Sequence, residues 1–141
     1  MRRTATAMLV LGSLPLLASC AGSGTYTQGP LQPQSLSGPC SVDRFFFLGN
    51  RSVPARLTIA NTGQTCTFTL VNPALNAVIN ATLLTKPAQH GRAETSLISG
   101  ARQVSVSYTP APGYTGPDQF GVTLEPGATG ITFNVTVTPP R

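Results

Sequence analysis

The chain is expected to fold as an all-β protein, with seven or eight short strands packed as two antiparallel sheets. Three observations predict this. Apolar and polar residues alternate with period two along successive segments, the signal of a strand with one buried face. Gly (14) and Pro (13) are abundant, charged residues make up only 9% and Trp is absent, a composition that suits short strands joined by turns better than helices. Turn-forming residues punctuate the alternating runs, so pattern and local propensity agree.

The N-terminal region stands apart from this pattern. Met1-Arg2-Arg3 is a positive leader, Ala7 to Leu17 an apolar stretch too short to span a bilayer comfortably, and Ala18-Ser19 the small residues a signal peptidase requires. Residues 1–19 are therefore expected to be a signal peptide. Leu17-Ala18-Ser19-Cys20 resembles the lipobox of bacterial lipoproteins, which implies diacylglyceryl modification of the Cys20 thiol and cleavage just before it. The alternative is an ordinary secretory signal cut after Ala18 or Ala21. Residues 20–39, rich in Gly, Ser, Thr, Gln and Pro and including Tyr26, read as a lipidated flexible linker. The folded domain is expected over residues 40–139. Two or three acyl chains hold a protein stably at a membrane where one does not. Ala21 follows the cysteine where Asp would resemble an inner-membrane retention signal, which favours the outer membrane.

The strands are expected in order beyond Cys40. Phe45-Phe46-Phe47 breaks the alternation, as a doubly buried strand, a bulge or an exposed patch would. Leu57 and Ile59 flank Thr58; Cys66, Phe68 and Leu70 alternate with Thr65, Thr67 and Thr69. Within Ala74 to Leu84, Val78, Ile79, Leu83 and Leu84 suit a strand or a helical turn, and Asn80 with Thr82 favours the strand. Val104, Val106 and Tyr108 share a face, as do Phe120, Val122 and Leu124, and then Ile131, Phe133, Val135 and Val137. Thr on the outer positions keeps β propensity high on a soluble face. Turns are expected at Gly49-Asn50, Asn61-Thr62-Gly63, Asn72-Pro73, Gly100, Pro110 to Pro117 and Pro126-Gly127.

The stretch Tyr108 to Phe120 meets the pattern Y-x-P-x-x-G-[YF]-x-G-x-D-x-F through Tyr108, Pro110, Gly113, Tyr114, Gly116, Asp118 and Phe120. It resembles a signature of bacterial immunoglobulin-like and cadherin-like domains. Upstream, Lys86-Pro87-Ala88-Gln89-His90-Gly91 is similar to the K-P-x-H-G turn of those domains, with one extra residue before the histidine. The resemblance covers about Thr82 to Thr138 and implies an immunoglobulin-like sandwich in which the segment after Tyr108 crosses between sheets. Tyr114 is then expected to bond backbone at the corner and Asp118 to cap the turn through nearby amides. Those domains usually occur in tandem arrays, whereas this chain carries one copy. Calcium sites of the cadherin kind need clustered carboxylates, and Asp43, Glu94, Asp118 and Glu125 are far apart in sequence, so no metal or other cofactor is expected.

Three cysteines are an awkward number for an exported protein unless one is already modified. With Cys20 lipidated, Cys40 and Cys66 are left to form a disulfide, the expected state in an oxidising compartment. Loss of Arg2 and Arg3 with the signal lowers the formal charge from +5 to +3. The remaining basic residues are scattered, without the stripe and interleaved aromatics of a nucleic-acid surface, and no nucleic acid is expected as partner. Catalysis is not expected either: His90 is the only histidine and lies in a Pro-Gly turn, and no small-molecule substrate is implied. A binding or structural role in the cell envelope remains, with a protein partner favoured over envelope glycan or peptidoglycan because exposed aromatic platforms are lacking.

Overall fold

A computed structural model describes residues 30–31, 33–46, 51–71, 81–98, 103–125 and 129–141. Cys20, the signal peptide, Tyr26, Phe47, residues 74–80 and the turns expected at Gly49-Asn50, Asn72-Pro73, Gly100 and Pro126-Gly127 lie outside the described residues. The described chain is all β. Its strands are β1 (Pro30–Leu31), β2 (Gln34–Ser37), β3 (Cys40–Val42), β4 (Phe45–Phe46), β5 (Val53–Ala60), β6 (Cys66–Val71), β7 (Ala81–Lys86), β8 (Gly91–Leu97), β9 (Gln103–Pro110), β10 (Gly116–Glu125) and β11 (Thr129–Thr138).

Two sheets form the sandwich: a five-stranded sheet in the order β3-β5-β11-β10-β7 and a four-stranded sheet in the order β2-β6-β9-β8, with β1 and β4 paired as a short ribbon. That is more strands than the alternation predicts, because the N-terminal stretch contributes. Gln34–Ser37, within the segment expected to be linker, pairs with β6. A strand needs backbone hydrogen bonds and not an apolar face, so polar composition did not keep these residues out of the sheet.

Between β2 and β3 the chain leaves one sheet for the other, and Gly38 makes the passage. Its φ is 99°, and a Cβ there would lie 2.4 Å from the Thr65 carbonyl oxygen, so only glycine fits. Immediately after the crossing, Cys40 on β3 is bonded to Cys66 on β6 with Cα atoms 5.8 Å apart. The expected disulfide therefore staples one sheet to the other.

Strands β5, β6, β9, β10 and β11 bury the phase their alternation predicts, whereas Leu83 and Leu84 of β7 are exposed. Val53, Ala55, Leu57 and Ile59 of β5, Cys66, Phe68 and Leu70 of β6, and Val104, Val106 and Tyr108 of β9 are buried, as are the apolar positions of β10 and β11. An aromatic column runs through this core. The Tyr108 and Phe120 rings stack at 5.7 Å, Phe120 and Phe133 at 4.8 Å, and Phe68 and Phe45 pack on Phe133 at 5.4 and 6.0 Å. Phe45 is thus a core residue, which explains the start of the Phe45-Phe46-Phe47 run.

One pairing departs from the antiparallel expectation. β5 runs parallel to β11 along its whole length, from Val53 opposite Ile131 to Ala60 opposite Thr138. Period-two alternation specifies which face is buried and carries no information on the direction of the neighbouring strand. Pro54 is tolerated in β5 for a related reason. Arg56 presents its carbonyl to Asp43 N on the β3 side, so the main-chain groups two residues earlier point the same way. The pairing of β3 with β5 covers only Leu57 to Ile59, so Pro54 interrupts no ladder.

The disulfide closes a loop of 26 residues in sequence separation. Replacing Cys40 and Cys66 together with Ala is expected to lower unfolding free energy by about 3 to 4 kcal/mol on the chain-entropy model, read from urea titrations of oxidised wild type and the double variant. Wild type under reducing conditions is expected to match the variant.

Candidate functional site

The pairing registers gather the polar residues of interest at one end of the sandwich. Cys66 lies opposite Tyr108, Gly91 opposite Pro110, and Gly116 opposite Val137. At this end the chain passes from β7 to β8 through residues 87–90 and from β9 to β10 through residues 111–115.

Asp118 is the centre of this arrangement. Near the start of β10 it faces inward and is only 8% exposed. Its Oδ1 accepts hydrogen bonds from the amides of Gln89 at 2.9 Å and Gln119 at 2.8 Å, and its Oδ2 accepts from the amide of His90 at 2.9 Å and the hydroxyl of Tyr108 at 2.8 Å. Burial alone would push this carboxyl up. The amides of Gln89 and Gln119, the Tyr108 hydroxyl and the amide of His90 outweigh it and hold the group below its ordinary value of 3.8. The Tyr108 phenol is pushed the other way, first by burial and then by its bond to Asp118 and the charge of that carboxylate. Tyr108 therefore remains a neutral donor and Asp118 an ionised acceptor.

Gly91 makes room for this contact. A Cβ there would lie 2.6 Å from the Tyr108 hydroxyl oxygen and 2.6 Å from the Thr109 carbonyl oxygen. The glycine that ends the Lys86 to Gly91 turn is needed because Tyr108 passes against it on the way to Asp118.

The second loop is organised around Tyr114. Its hydroxyl donates to the Pro117 carbonyl at 2.6 Å, and its ring stacks on the His90 imidazole at 4.2 Å with 7° between the planes. The amide of Ala111 donates to the His90 carbonyl at 2.9 Å, joining the two loops through backbone. Pro110 is the buried last residue of β9, Gly113 adopts a φ of 73° in the turn, and Gly116 opens β10 beside the Tyr114 ring. Phe120 enters the aromatic column two residues after Asp118.

Asn61 belongs to the same assembly, although sequence reading placed it only in a turn. Its carboxamide donates to the carbonyls of Ala111 at 2.8 Å and Tyr114 at 2.9 Å and accepts from the Gly63 amide at 3.3 Å. Asn before Thr-Gly is a turn signal. Its second use, bracing a loop fifty residues away, leaves no trace in local spacing.

The other candidates lie elsewhere. Glu94 sits on the exposed face of β8 and pairs with Arg92 at 2.5 Å. Lys86 bonds the Gln119 side chain, which in turn donates to Asn134 at 2.8 Å on the outer face. Among the described residues no three His, Cys, Asp or Glu side chains are grouped to hold a metal ion. All four hydrogen bonds to Asp118 come from within the domain, and they fix the β7-to-β8 loop against β9 and β10. Comparison of the chain with protein-family models and with curated proteins gives no match.

Asp118 has a lowered folded-state pKa, so its contribution to stability is complete above the unfolded value near 4 and is lost as pH falls through the folded value. Asp118→Asn places an NH2 group among donors and is expected to cost on the order of 2 to 4 kcal/mol at neutral pH. The same substitution is expected to flatten the decline of wild-type stability below about pH 4. Urea titrations of both proteins from pH 7 to pH 2.5 check the offset and the slope.

Proposed function

We propose that this chain is a lipid-anchored cell-envelope module with an immunoglobulin-like sandwich, whose role is to bind a protein partner or brace an assembly in the periplasm or at the outer membrane. The observation that carries the reading is the Cys40–Cys66 disulfide. A disulfide between the sheets suits an oxidising compartment, and it leaves Cys20 as the odd thiol at the lipobox position. Export and lipidation then account for all three cysteines together.

The strand order supports the immunoglobulin-like assignment. The four-stranded sheet β2-β6-β9-β8 follows the order A, B, E, D, and β7, β10 and β11 follow C, F, G, with β5 added beside G. The staple joins β3 to β6, so it differs from the B-to-F bridge of antibody domains. The assembled end offers a rigid recognition surface: two loops locked by Asp118 and Asn61 carry the stacked His90 and Tyr114 rings. The ionised, fully hydrogen-bonded Asp118 favours binding or bracing over proton transfer.

Cys20→Ser is expected to move the protein from the membrane fraction to the soluble fraction of cells that export it. Intact mass of wild type is expected to correspond to a chain starting at Cys20 with added diacylglycerol. An unmodified thiol at residue 20 in protein from the native host overturns the anchor.

A further inference from the structure

The five-stranded sheet turns one face to the core and the other outward, and basic residues scattered in sequence meet on the outer face. Arg56 of β5 lies beside Asn134 of β11, and Asn134 beside Gln119 of β10. Lys86, at the end of β7, lies opposite Gly121 and reaches Gln119. A Cβ at Gly121 would lie 3.1 Å from the Lys86 Cβ, so the missing side chain leaves the lysine room to cross. Arg44, just after β3, borders the same recess as Arg56 and Asn134. Arg44, Arg56 and Lys86 are exposed, and among the described residues the one ion pair is Arg92–Glu94 on the other sheet, so these three cations have no carboxylate partner there.

Hydrogen bonds give this strip a direction. An ammonium group only donates, so Lys86 fixes the Gln119 carboxamide with its oxygen toward β7. The Gln119 NH2 group then donates to the Asn134 side-chain oxygen at 2.8 Å, which leaves the Asn134 NH2 group as the free end. Both amide oxygens are engaged. What the strip still offers is hydrogens: those of one ammonium, two amides and two guanidinium groups. Such a surface matches a ligand that accepts, and above all an anion.

The recess beside Arg56 narrows the choice. It has a volume of about 280 Å³ and is lined by apolar Phe45, Pro54 and Ala55 as well as by the two arginines. The apolar part suits a short aliphatic stem, and the guanidinium groups suit a carboxylate at its end. Asp43 borders the same recess and leaves one net positive charge from the two arginines, which balances a carboxylate but not a doubly charged phosphate. Three strand spacings, ~14 Å, separate Arg56 from Lys86. In an extended peptide, residues four apart point the same way and also lie ~14 Å from each other.

We propose that this face receives the protein partner through an extended acidic segment, one carboxylate held by Arg44 and Arg56 and a second, four residues away, by Lys86. The segment lies across the strands, and the Asn134 and Gln119 amides donate to its main-chain carbonyls between the two anchors. The inference rests on the protein-partner reading and adds to it the partner's chemistry.

Fluorescence anisotropy of a labelled ten-residue peptide of alternating Glu and Ser, titrated with the full chain in uncharged detergent, tests this. Wild type is expected to bind, less tightly as salt rises. Arg56→Gln and Lys86→Gln are each expected to weaken binding about tenfold, and Arg92→Gln, on the other sheet, to leave it unchanged. Asp43→Asn is expected to tighten binding, a gain that loss of folding cannot mimic. Absence of binding, equal affinity for a Gln-Ser peptide, equal weakening by Arg92→Gln, or no gain from Asp43→Asn overturns the proposal. So does tighter binding of a galacturonate oligomer or of phosphatidylglycerol micelles through the same residues, which assigns the strip to a glycan or to lipid. Crosslinking in intact cells separates the two readings. A protein captured equally by wild type and Arg56→Gln overturns the strip and leaves the partner reading standing, whereas no captured protein despite peptide binding overturns the partner reading.

Discussion

The buried carboxylate of Asp118 is the contact on which the ordered end of this sandwich depends. It belongs to β10, yet its partners come from the β7-to-β8 loop, from β9 and from its own following residue, so it spans both sheets. A carboxylate removed from water is costly unless it is fully hydrogen-bonded. Here each oxygen receives two donors, and the same bonds that stabilise the charge fix the positions of Gln89, His90 and Tyr108. The Gly91 position follows from this contact, because any side chain there would collide with the tyrosine that reaches the carboxylate. The amides that hold the β7-to-β8 loop are the same ones that favour the ionised form of Asp118.

Around that contact the structure uses three other fastenings of different chemistry. The disulfide joins the strand that switches sheets to β6, opposite Tyr108 in register. Asn61 braces the β9-to-β10 loop from the end of β5, and the aromatic column carries the packing from Tyr108 into the centre. Each aromatic pair contributes about 0.5 to 1.5 kcal/mol beyond its buried area. All lie at or lead from the same end, so the loops there are presented on a rigid base.

Much of this was legible in the sequence, for physical reasons that also mark where legibility stops. Alternation in β5, β6, β9, β10 and β11 identified their buried faces because side chains on a strand point to opposite sides in turn. The cysteine count led to the Cys40–Cys66 pair through the expectation that Cys20 is modified, and that disulfide is present. Three features were hidden. β2 has no apolar face to announce it; the parallel course of β5 beside β11 depends on topology and not on pattern; and Asn61 acts on a loop that only the fold brings near.

Asp118 holds the β7-to-β8 loop, and amide hydrogen exchange at Gln89, His90 and Gln119 measures that hold most directly. The amides of Gln89 and His90 lie outside any strand and point at the carboxylate. With the carboxylate holding them, these amides are protected at neutral pH to the level of β9 and β10 and exchange only when those strands open. Rapid exchange of Gln89 and His90, at rates typical of a solvated turn while β9 and β10 stay protected, would contradict it.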